Sequence, residues 1–308
     1  MPTPLALTDL VDHAALARAK QALELSPTVV LLEASNFVAS LAAPWIIAEL
    51  LPTTQSRLSD ARVVAPDKTN WTVDEITEQI IAPANLTPRL RNVIVVKDAD
   101  KMTAAAADHL LKVIEEPPSP TTFVLCTPSA DLLSVTIRSR SSAKINFPLN
   151  LTALSARLEE TGLPGDVVKE AIDHLGENAA LLAGLAGAPP LAREFLALVT
   201  TLPDSPRPVS TALEAVATLE AVAKVATLPD EEDNDAARRR RTRRLASDLL
   251  AARATLLASS AACGAAGDDV ASQLRSLALA SDVLERNGSV ELALAVAHLR
   301  ACVPTLIS

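Results

Sequence analysis

The stretch that decides the fold is Val93–Ser142, which reads VIVVKDADKMTAAAADHLLKVIEEPPSPTTFVLCTPSADLLSVTIRSRSS. Two short runs are made mainly of β-branched and aromatic residues: Asn92–Val96, which overlaps the start of the stretch, and Thr121–Leu125 in its middle. Such residues favour strands, and apolar runs with few alternating polar residues are typical of strands buried on both faces of a sheet.

Between the two runs, Ala104–Glu116 is rich in the strong helix formers alanine and leucine. Thr103 is placed to accept a hydrogen bond from an early backbone N–H and so to cap the helix. Pro117 and Pro118 end it, because proline cannot continue the hydrogen-bond ladder and restricts the residue before it. The stretch therefore predicts a strand–helix–strand unit.

The same pattern continues outward through the first half of the chain. Further predicted strands are Thr28–Leu32, Arg62–Val64 and Lys144–Phe147. Further predicted helices are Ala34–Leu51, with a kink at Pro44, and Val73–Ile81. Strands that alternate with helices predict an α/β domain built on a parallel sheet.

After Pro148 the strand pattern stops. Two amphipathic segments, Leu151–Gly162 and Val167–Leu182, predict short helices, and the glycine- and proline-rich residues 184–190 predict a linker. From Leu191 the pattern is helical with proline breaks. We predict three domains: an α/β domain over residues 1–148, a small helical domain over 149–188, and a helical bundle over 191–308.

Composition limits the possible functions. Of 308 residues, 49% are hydrophobic and 2% aromatic, so alanine and leucine must fill most of the core. The net charge of −9 and the pI of about 5.0 argue against a stand-alone nucleic-acid-binding protein.

Cys126, Cys263 and Cys302 include no Cys-x-x-Cys pair, so we expect no metal site and a reducing cytoplasm. The first residues lack the basic start and apolar run of a signal peptide. The apolar run Ala34–Ala48 would span roughly 23 Å as a helix, short of the ~30 Å that a bilayer requires. It predicts a buried helix, and no membrane association is expected.

Three parts of the central stretch resemble the AAA+ clamp-loader subunits of bacterial DNA polymerase III, and the delta-prime type most closely. They are Asp98-Ala-Asp100, His109-Leu-Leu-Lys-Val-Ile-Glu-Glu-Pro-Pro118 and Val135-Thr-Ile-Arg-Ser-Arg140. The resemblance implies an AAA+ three-layer parallel-sheet domain, a small helical lid and a C-terminal helical collar. Segments similar to the family's collar are Arg243–Ala262 and Leu274–Leu299.

The nucleotide site that this resemblance implies lacks its usual chemistry. A P-loop needs glycines that let backbone N–H groups approach phosphate, with a lysine and a Ser/Thr for Mg²⁺. Residues 33–42 contain neither glycine nor lysine. Lys97 stands where the family holds a metal-binding acid, and Gly176–Leu182 has no arginine to sense the γ-phosphate. We therefore expect no ATP hydrolysis and no cofactor. Thr127 stands where AAA+ proteins place a polar residue between their nucleotide and metal motifs, and without a nucleotide site we expect it to have only a structural role.

Ser139 and Arg140 form the family's SR element, which presents an arginine finger to the neighbouring subunit. Phosphoryl transfer gathers charge on the equatorial oxygens, and a planar guanidinium placed in trans stabilises it. The resemblance implies that Arg140 acts on ATP bound by a motor subunit. The alternative is a solvated or locally paired loop arginine, and Arg138 is a weaker candidate for the finger.

The resemblance also implies partners in a hetero-oligomer: a tau/gamma-type motor subunit, the delta subunit and the sliding clamp, with primer–template DNA as a further candidate. The chain would be a rigid stator at one end of a five-subunit arc. Two other functions stay open, namely an ATPase with an unusual nucleotide site, and a degenerate AAA+ scaffold or adaptor outside the replicative clamp loader.

Several other residues attract attention. The basic run Arg238–Arg244 follows the acidic stretch Asp230–Asp235. It is either a DNA- or partner-contacting patch or a solvated helix start, in which the acids lie near the positive N-terminal end and the arginines pair with them. Glu115 and Glu116 diverge by about 100° on a helix, so we expect them to help hold an interface and not to act as a catalytic pair. Trp45 and Trp71 are predicted to be packing residues, because they are the largest apolar groups of the chain.

Overall fold

The computed structural model describes residues 6–51, 60–67, 70–88, 90–117, 119–201, 208–225, 235–260, 268–286 and 288–299. Pro118, Cys263, Cys302 and most of the acidic stretch before Asp235 lie outside these residues. The described chain divides into two compact units, one up to Leu154 and one from Ser155 onward. The finer division into domains 1–148, 149–188 and 191–308 stays a prediction.

The first unit contains a five-stranded parallel sheet. Its strands are β1 (Val29–Glu33), β2 (Ala61–Val64), β3 (Asn92–Val96), β4 (Thr121–Thr127) and β5 (Ala143–Asn146), in the spatial order β2-β3-β4-β1-β5. Every residue of β3 and β4 is buried, whereas the edge strand β5 alternates buried and exposed residues. All five predicted strands are confirmed, each end lying within two residues of its predicted position.

Helices flank this sheet. They are α1 (Leu7–Leu10), α2 (His13–Glu24), α3 (Asn36–Leu50), α4 (Val73–Glu75), α5 (Ala82–Ala84), α6 (Ala104–Glu115) and α7 (Val135–Arg140), while α8 (Leu151–Glu160) runs across the boundary between the units. A π-helical segment, Ile76–Ile81, joins α4 to α5. The helix predicted over Val73–Ile81 therefore continues to Ala84, and its central turns are π-helical. The sequence did not predict α1, α2 or α7.

The core of the first unit lies on one face of the sheet against α6 and α7. Ile94, Phe123 and Leu125 from the strands pack with Leu110 and Ile137 from these helices. Burial of each such side chain contributes about 1.5–3 kcal/mol relative to exposure.

Both tryptophans pack as predicted. Trp71 is fully buried in that core, and Trp45 lies edge-to-face on Phe147 with ring centroids 5.6 Å apart.

The second unit is all helical among the residues described. Its elements are α9 (Gly165–Leu175), a 3₁₀ segment Gly176–Leu185, α10 (Pro189–Thr201), α11 (Pro208–Val225), α12 (Asp235–Ser260), α13 (Asp268–Glu285) and α14 (Val290–Leu299). The α/β plus all-α fold class predicted from the sequence is confirmed. Within the described part of the chain, no helix is both long and apolar enough to cross a membrane.

One local prediction in this unit is wrong, and a second has wider bounds than the structure shows. The single helix predicted over Val167–Leu182 ends at Leu175, because Gly176 adopts a positive φ of 56° that stops the α-helix. The linker predicted over 184–190 is shorter than expected, because the 3₁₀ segment extends to Leu185 and Pro189 begins α10, which leaves residues 186–188 as the connection. Proline suits a first turn because the N–H that it lacks would have no partner there.

Candidate functional site

Nucleotides bind open parallel sheets outside the carboxyl ends of their strands. Three such ends meet here, because β1 lies beside β4 and β4 beside β3. The register aligns Glu33 of β1 with Thr127 of β4. The residues that follow β1, β3 and β4 therefore form the place where a nucleotide site is expected.

In the turn from β1 into α3, two backbone N–H groups already form hydrogen bonds within the chain. Ser35 is the N-cap of α3, and its hydroxyl accepts a hydrogen bond from the Val38 N–H at 3.4 Å. The Ala34 N–H donates to the Thr127 carbonyl at 2.9 Å. An anion at a helix N-terminus needs such backbone N–H groups directed at it, and these two are already donated.

Lys97, the residue after β3, is buried with 2% of its surface exposed. Its ammonium donates to the hydroxyl of Ser40, a fully buried residue of α3, at 2.7 Å. Its carbonyl accepts a hydrogen bond from the Trp71 indole at 2.9 Å. A P-loop protein places Mg²⁺ against the hydroxyl of its first helix, whereas here a cationic side chain of the chain itself contacts a hydroxyl of that helix.

The next residues form a tight acidic turn. Asp98 is a non-glycine residue at φ 50° and is nearly buried, and Lys101 Nζ lies 3.6 Å from its carboxylate. Burial raises the pKa of Asp100 above its ordinary value, and the neighbouring charge of Asp98 raises it further, against smaller opposing effects of a backbone hydrogen bond, Lys101 and Thr127. Asp100 Oδ1 is buried and accepts no hydrogen bond from the described residues.

Thr127 and Glu33 hold the segment that follows β4. The Thr127 hydroxyl donates to the Ser129 carbonyl at 2.8 Å, and Glu33 Oε1 accepts from the Ala130 N–H at 3.2 Å. These contacts agree with the structural role expected for Thr127. They also fix the turn that leads to α7.

The structure places Ser139 and Arg140 at the end of α7 and not in a loop. Ser134 caps this helix by accepting from the Ile137 N–H at 3.4 Å, and Ile137 is buried in the sheet core. The Ser139 hydroxyl donates back to the Thr136 carbonyl at 2.9 Å. The short helix is therefore fixed from both sides, with its last residue pointing away from the core.

Arg140 is half exposed and pairs with Glu115, the last residue of α6. Its Nε and Nη2 donate to Glu115 Oε1 at 2.9 Å and 2.5 Å. The structure thus brings together two residues that sequence reasoning treated separately. Arg138 pairs instead with Asp131, so the two arginines of α7 have different partners.

The basic run lies in α12, and part of it faces inward. Arg241 is 3% exposed and donates to the Ala223 carbonyl, and Arg243 donates to the Leu284 carbonyl at 3.0 Å. Arg238 lies 3.6 Å from Asp235. Burial lowers the pKa of Arg243, while the charge of Glu291 opposes that effect. Arg238 thus pairs with an acid as the helix-start alternative expects, whereas Arg241 and Arg243 contact backbone carbonyls and are not solvated as either alternative requires.

Two further predictions concern the sensor segment Gly176–Leu182 and metal sites. Gly176–Leu182 lies in the 3₁₀ segment of the second unit. Among the residues described, no group of three or more His, Cys, Asp or Glu side chains is arranged to hold a metal ion.

Sequence reasoning missed Ser40 and the pairing of Glu115 with Arg140. The only sequence signal for Ser40 is a hydroxyl in an otherwise apolar helix, which needs a partner once it is buried.

Comparison with known proteins supports the sequence resemblance. Residues 49–149 match the family described as DNA polymerase III, delta subunit. A segment of 86 residues is 41% identical to DNA polymerase III subunit delta′ of Escherichia coli (strain K12), covering 26% of this chain and 25% of that protein. The match therefore spans about a quarter of the length of this curated relative.

Two solved structures from Thermotoga maritima match this chain in part. A DNA polymerase III gamma subunit-related protein has a TM-score of 0.48 and 19% identity, over 93% of this chain and 99% of that chain. A RuvB variant has a TM-score of 0.43 and 15% identity, over 64% of this chain and 67% of that chain. Neither likeness bears on function. The family match does contain all three motifs of the central stretch, and the predicted resemblance to delta-prime subunits of DNA polymerase III is confirmed for this part of the chain.

Proposed function

We propose that this chain is a delta-prime-type subunit of a DNA polymerase III clamp loader that does not hydrolyse ATP itself. It donates Arg140 in trans to ATP bound by a tau/gamma-type motor subunit. In this role it is a stator of the hetero-oligomer, which also contains the delta subunit, acts on the sliding clamp at primer–template DNA and works in the cytoplasm.

The observation that carries the proposal is the placement of Arg140. The residue lies at the exposed end of a helix that is capped by Ser134 and anchored by the buried Ile137. A guanidinium on a fixed backbone and open to solvent can approach a neighbouring subunit without rearrangement of its own domain. Preorganised charge of this kind is what stabilises a phosphoryl-transfer transition state.

The contacts at the strand ends support the absence of hydrolysis by the chain itself. Mg²⁺ is a cation that would have to bind near Ser40, and the Lys97 ammonium is already 2.7 Å from that hydroxyl. A Mg²⁺ ion at the same hydroxyl would be close to the ammonium, and like charges repel more strongly in a buried site than in water. The capping of α3 by Ser35 also uses a backbone donor that phosphate would need.

Reconstitution tests the proposal. The chain is mixed with tau/gamma-type motor and delta subunits of a DNA polymerase III, and assembly and clamp- and DNA-stimulated ATP hydrolysis are measured. We expect a complex whose stimulated hydrolysis depends on this chain, while the isolated chain neither binds nor hydrolyses ATP. Failure to assemble would refute the clamp-loader role, and hydrolysis by the isolated chain would favour an ATPase with an unusual site.

A further inference from the structure

The contact between Glu115 and Arg140 has a geometry that leaves part of the arginine open. Nε and Nη2 both donate to a single oxygen, Glu115 Oε1, at 2.9 Å and 2.5 Å. A guanidinium has five N–H donors in a fixed planar fork. Glu115 therefore holds one edge of the plane. No hydrogen bond from Nη1 to another described residue is formed, so the outer end of the fork is available.

The backbones beneath the two side chains are fixed relative to each other. Ile114, beside Glu115, and Ile137, one turn before Arg140, are both buried in the same core. Thr103 caps the helix that carries Glu115 by accepting from the Ala106 N–H at 3.2 Å. The direction of Arg140 is therefore set by a carboxylate on a rigid element.

We propose that Glu115 is a positioning residue for Arg140, an inference that rests on the function proposed above. Glu115 restrains the Nε–Nη2 edge, and the outer end of the fork faces the γ-phosphate bound by the neighbouring motor subunit. A long arginine side chain without this restraint samples many rotamers, and ordering it would raise the barrier. Glu115 itself contacts neither ATP nor the attacking water.

The opposite effect, a latch that withholds Arg140 until ATP arrives, requires that Glu115 and phosphate compete for the same donors. The geometry opposes this, because the contacts to Glu115 use Nε and one side of Nη2 only. The negative charge of Glu115 would by itself repel phosphate and so favour the latch. The two effects predict opposite signs for removal of Glu115, and the rate distinguishes them.

The test uses the reconstituted complex and measures kcat and KM for ATP. We expect Glu115→Ala to lower kcat by roughly three- to tenfold with KM little changed, because positioning acts on the transition state. Glu115→Gln keeps an acceptor oxygen and should fall between wild type and Glu115→Ala. The matched control is Asp131→Ala, which breaks the ion pair of Arg138, the other arginine of α7. This variant should leave kcat as in wild type.

The Arg140→Ala background separates this inference from the proposed function. If Glu115 works through Arg140, adding Glu115→Ala to Arg140→Ala should lower kcat no further. If Glu115→Ala lowers kcat equally in the Arg140→Ala background, Glu115 acts independently of Arg140 and the inference is wrong. If Glu115→Ala alone leaves kcat unchanged or raises it, the inference is also wrong, while Arg140 keeps its proposed role. If Arg140→Ala itself leaves kcat unchanged in an assembled complex, the proposed function fails together with this inference.

Discussion

The strand ends that would bind a nucleotide and the helix end that carries Arg140 lie in the same α/β unit, yet they use charge in opposite ways. At the strand ends, Lys97 is buried and directed inward at Ser40. At the end of α7, Arg140 is half exposed and paired through one edge only. One cation is committed to the fold, whereas the proposed function assigns the remaining donors of the other to a ligand outside the chain.

This difference teaches which part of a phosphoryl-transfer site can survive alone. In the function proposed here, the groups that hold nucleotide and metal are useful only together, and capping and packing contacts occupy their places. An arginine acting in trans needs only a rigid base and exposure. The following predictions test this contrast, beginning with the largest expected change in stability.

The anchor of α7 should be the most sensitive position. Ile137→Ala removes a side chain that is 1% exposed and should lower the free energy of unfolding by about 2–5 kcal/mol. Urea denaturation of the isolated chain measures this. Val135→Ala, at an exposed position of the same helix, is the control and should change stability by less than about 0.5 kcal/mol. Equal losses would mean that α7 is not anchored by Ile137.

The buried lysine contact should come next. Ser40→Ala removes the hydroxyl that accepts the 2.7 Å hydrogen bond from Lys97. A charged donor that loses a buried partner should reduce stability by roughly 1.5–3 kcal/mol. Ser139→Ala removes a solvent-exposed serine hydroxyl and should have a much smaller effect in the same denaturation experiment. A neutral Ser40→Ala would show that Lys97 does not depend on this contact.

The cap of α6 should have a moderate effect. Thr103→Ala removes the acceptor of the Ala106 N–H and should cost about 1 kcal/mol. Thr103→Ser keeps the hydroxyl and should restore most of that loss. If serine and alanine are equally destabilising, the threonine methyl group and not the cap is responsible.

The acidic turn predicts a pH dependence. The pKa of Asp100 is raised in the folded chain, so its favourable contribution is fully present below the ordinary pKa of 3.8 and is lost as pH rises through the folded value. Asp100→Asn cannot ionise. The stability of this variant relative to wild type should therefore increase as pH rises from about 3 to 7. Urea titrations across that range check this, and a decrease would contradict the sign.

Periodicity and breaker residues were enough to predict the sheet. Strands such as Asn92–Val96 are buried on both faces and therefore consist of nearly continuous apolar residues, a pattern that is recognisable within a few residues of sequence. Helix α6 was predicted with its ends, because Thr103 and Pro117 are local signals. Helix α7 was missed, since six residues are too few for a helical period to be visible.

The site could be predicted only where one residue carries the chemistry. Lys97 and Arg140 stand in or beside recognisable motifs. Their partners could not be predicted, because Ser40 is 57 residues from Lys97 and Glu115 is 25 residues from Arg140 along the chain. Such contacts depend on how α3 and α6 pack on the sheet, which no local pattern contains.

The most direct test of the central claim is the steady-state ATPase of the reconstituted complex with Arg140→Ala in place of wild type. We predict that the complex still assembles and that kcat falls well beyond tenfold, which corresponds to a loss of more than about 1.4 kcal/mol of transition-state stabilisation. KM should change little, and Arg138→Ala should retain the wild-type rate. An assembled complex whose kcat is unaffected by Arg140→Ala would contradict the account.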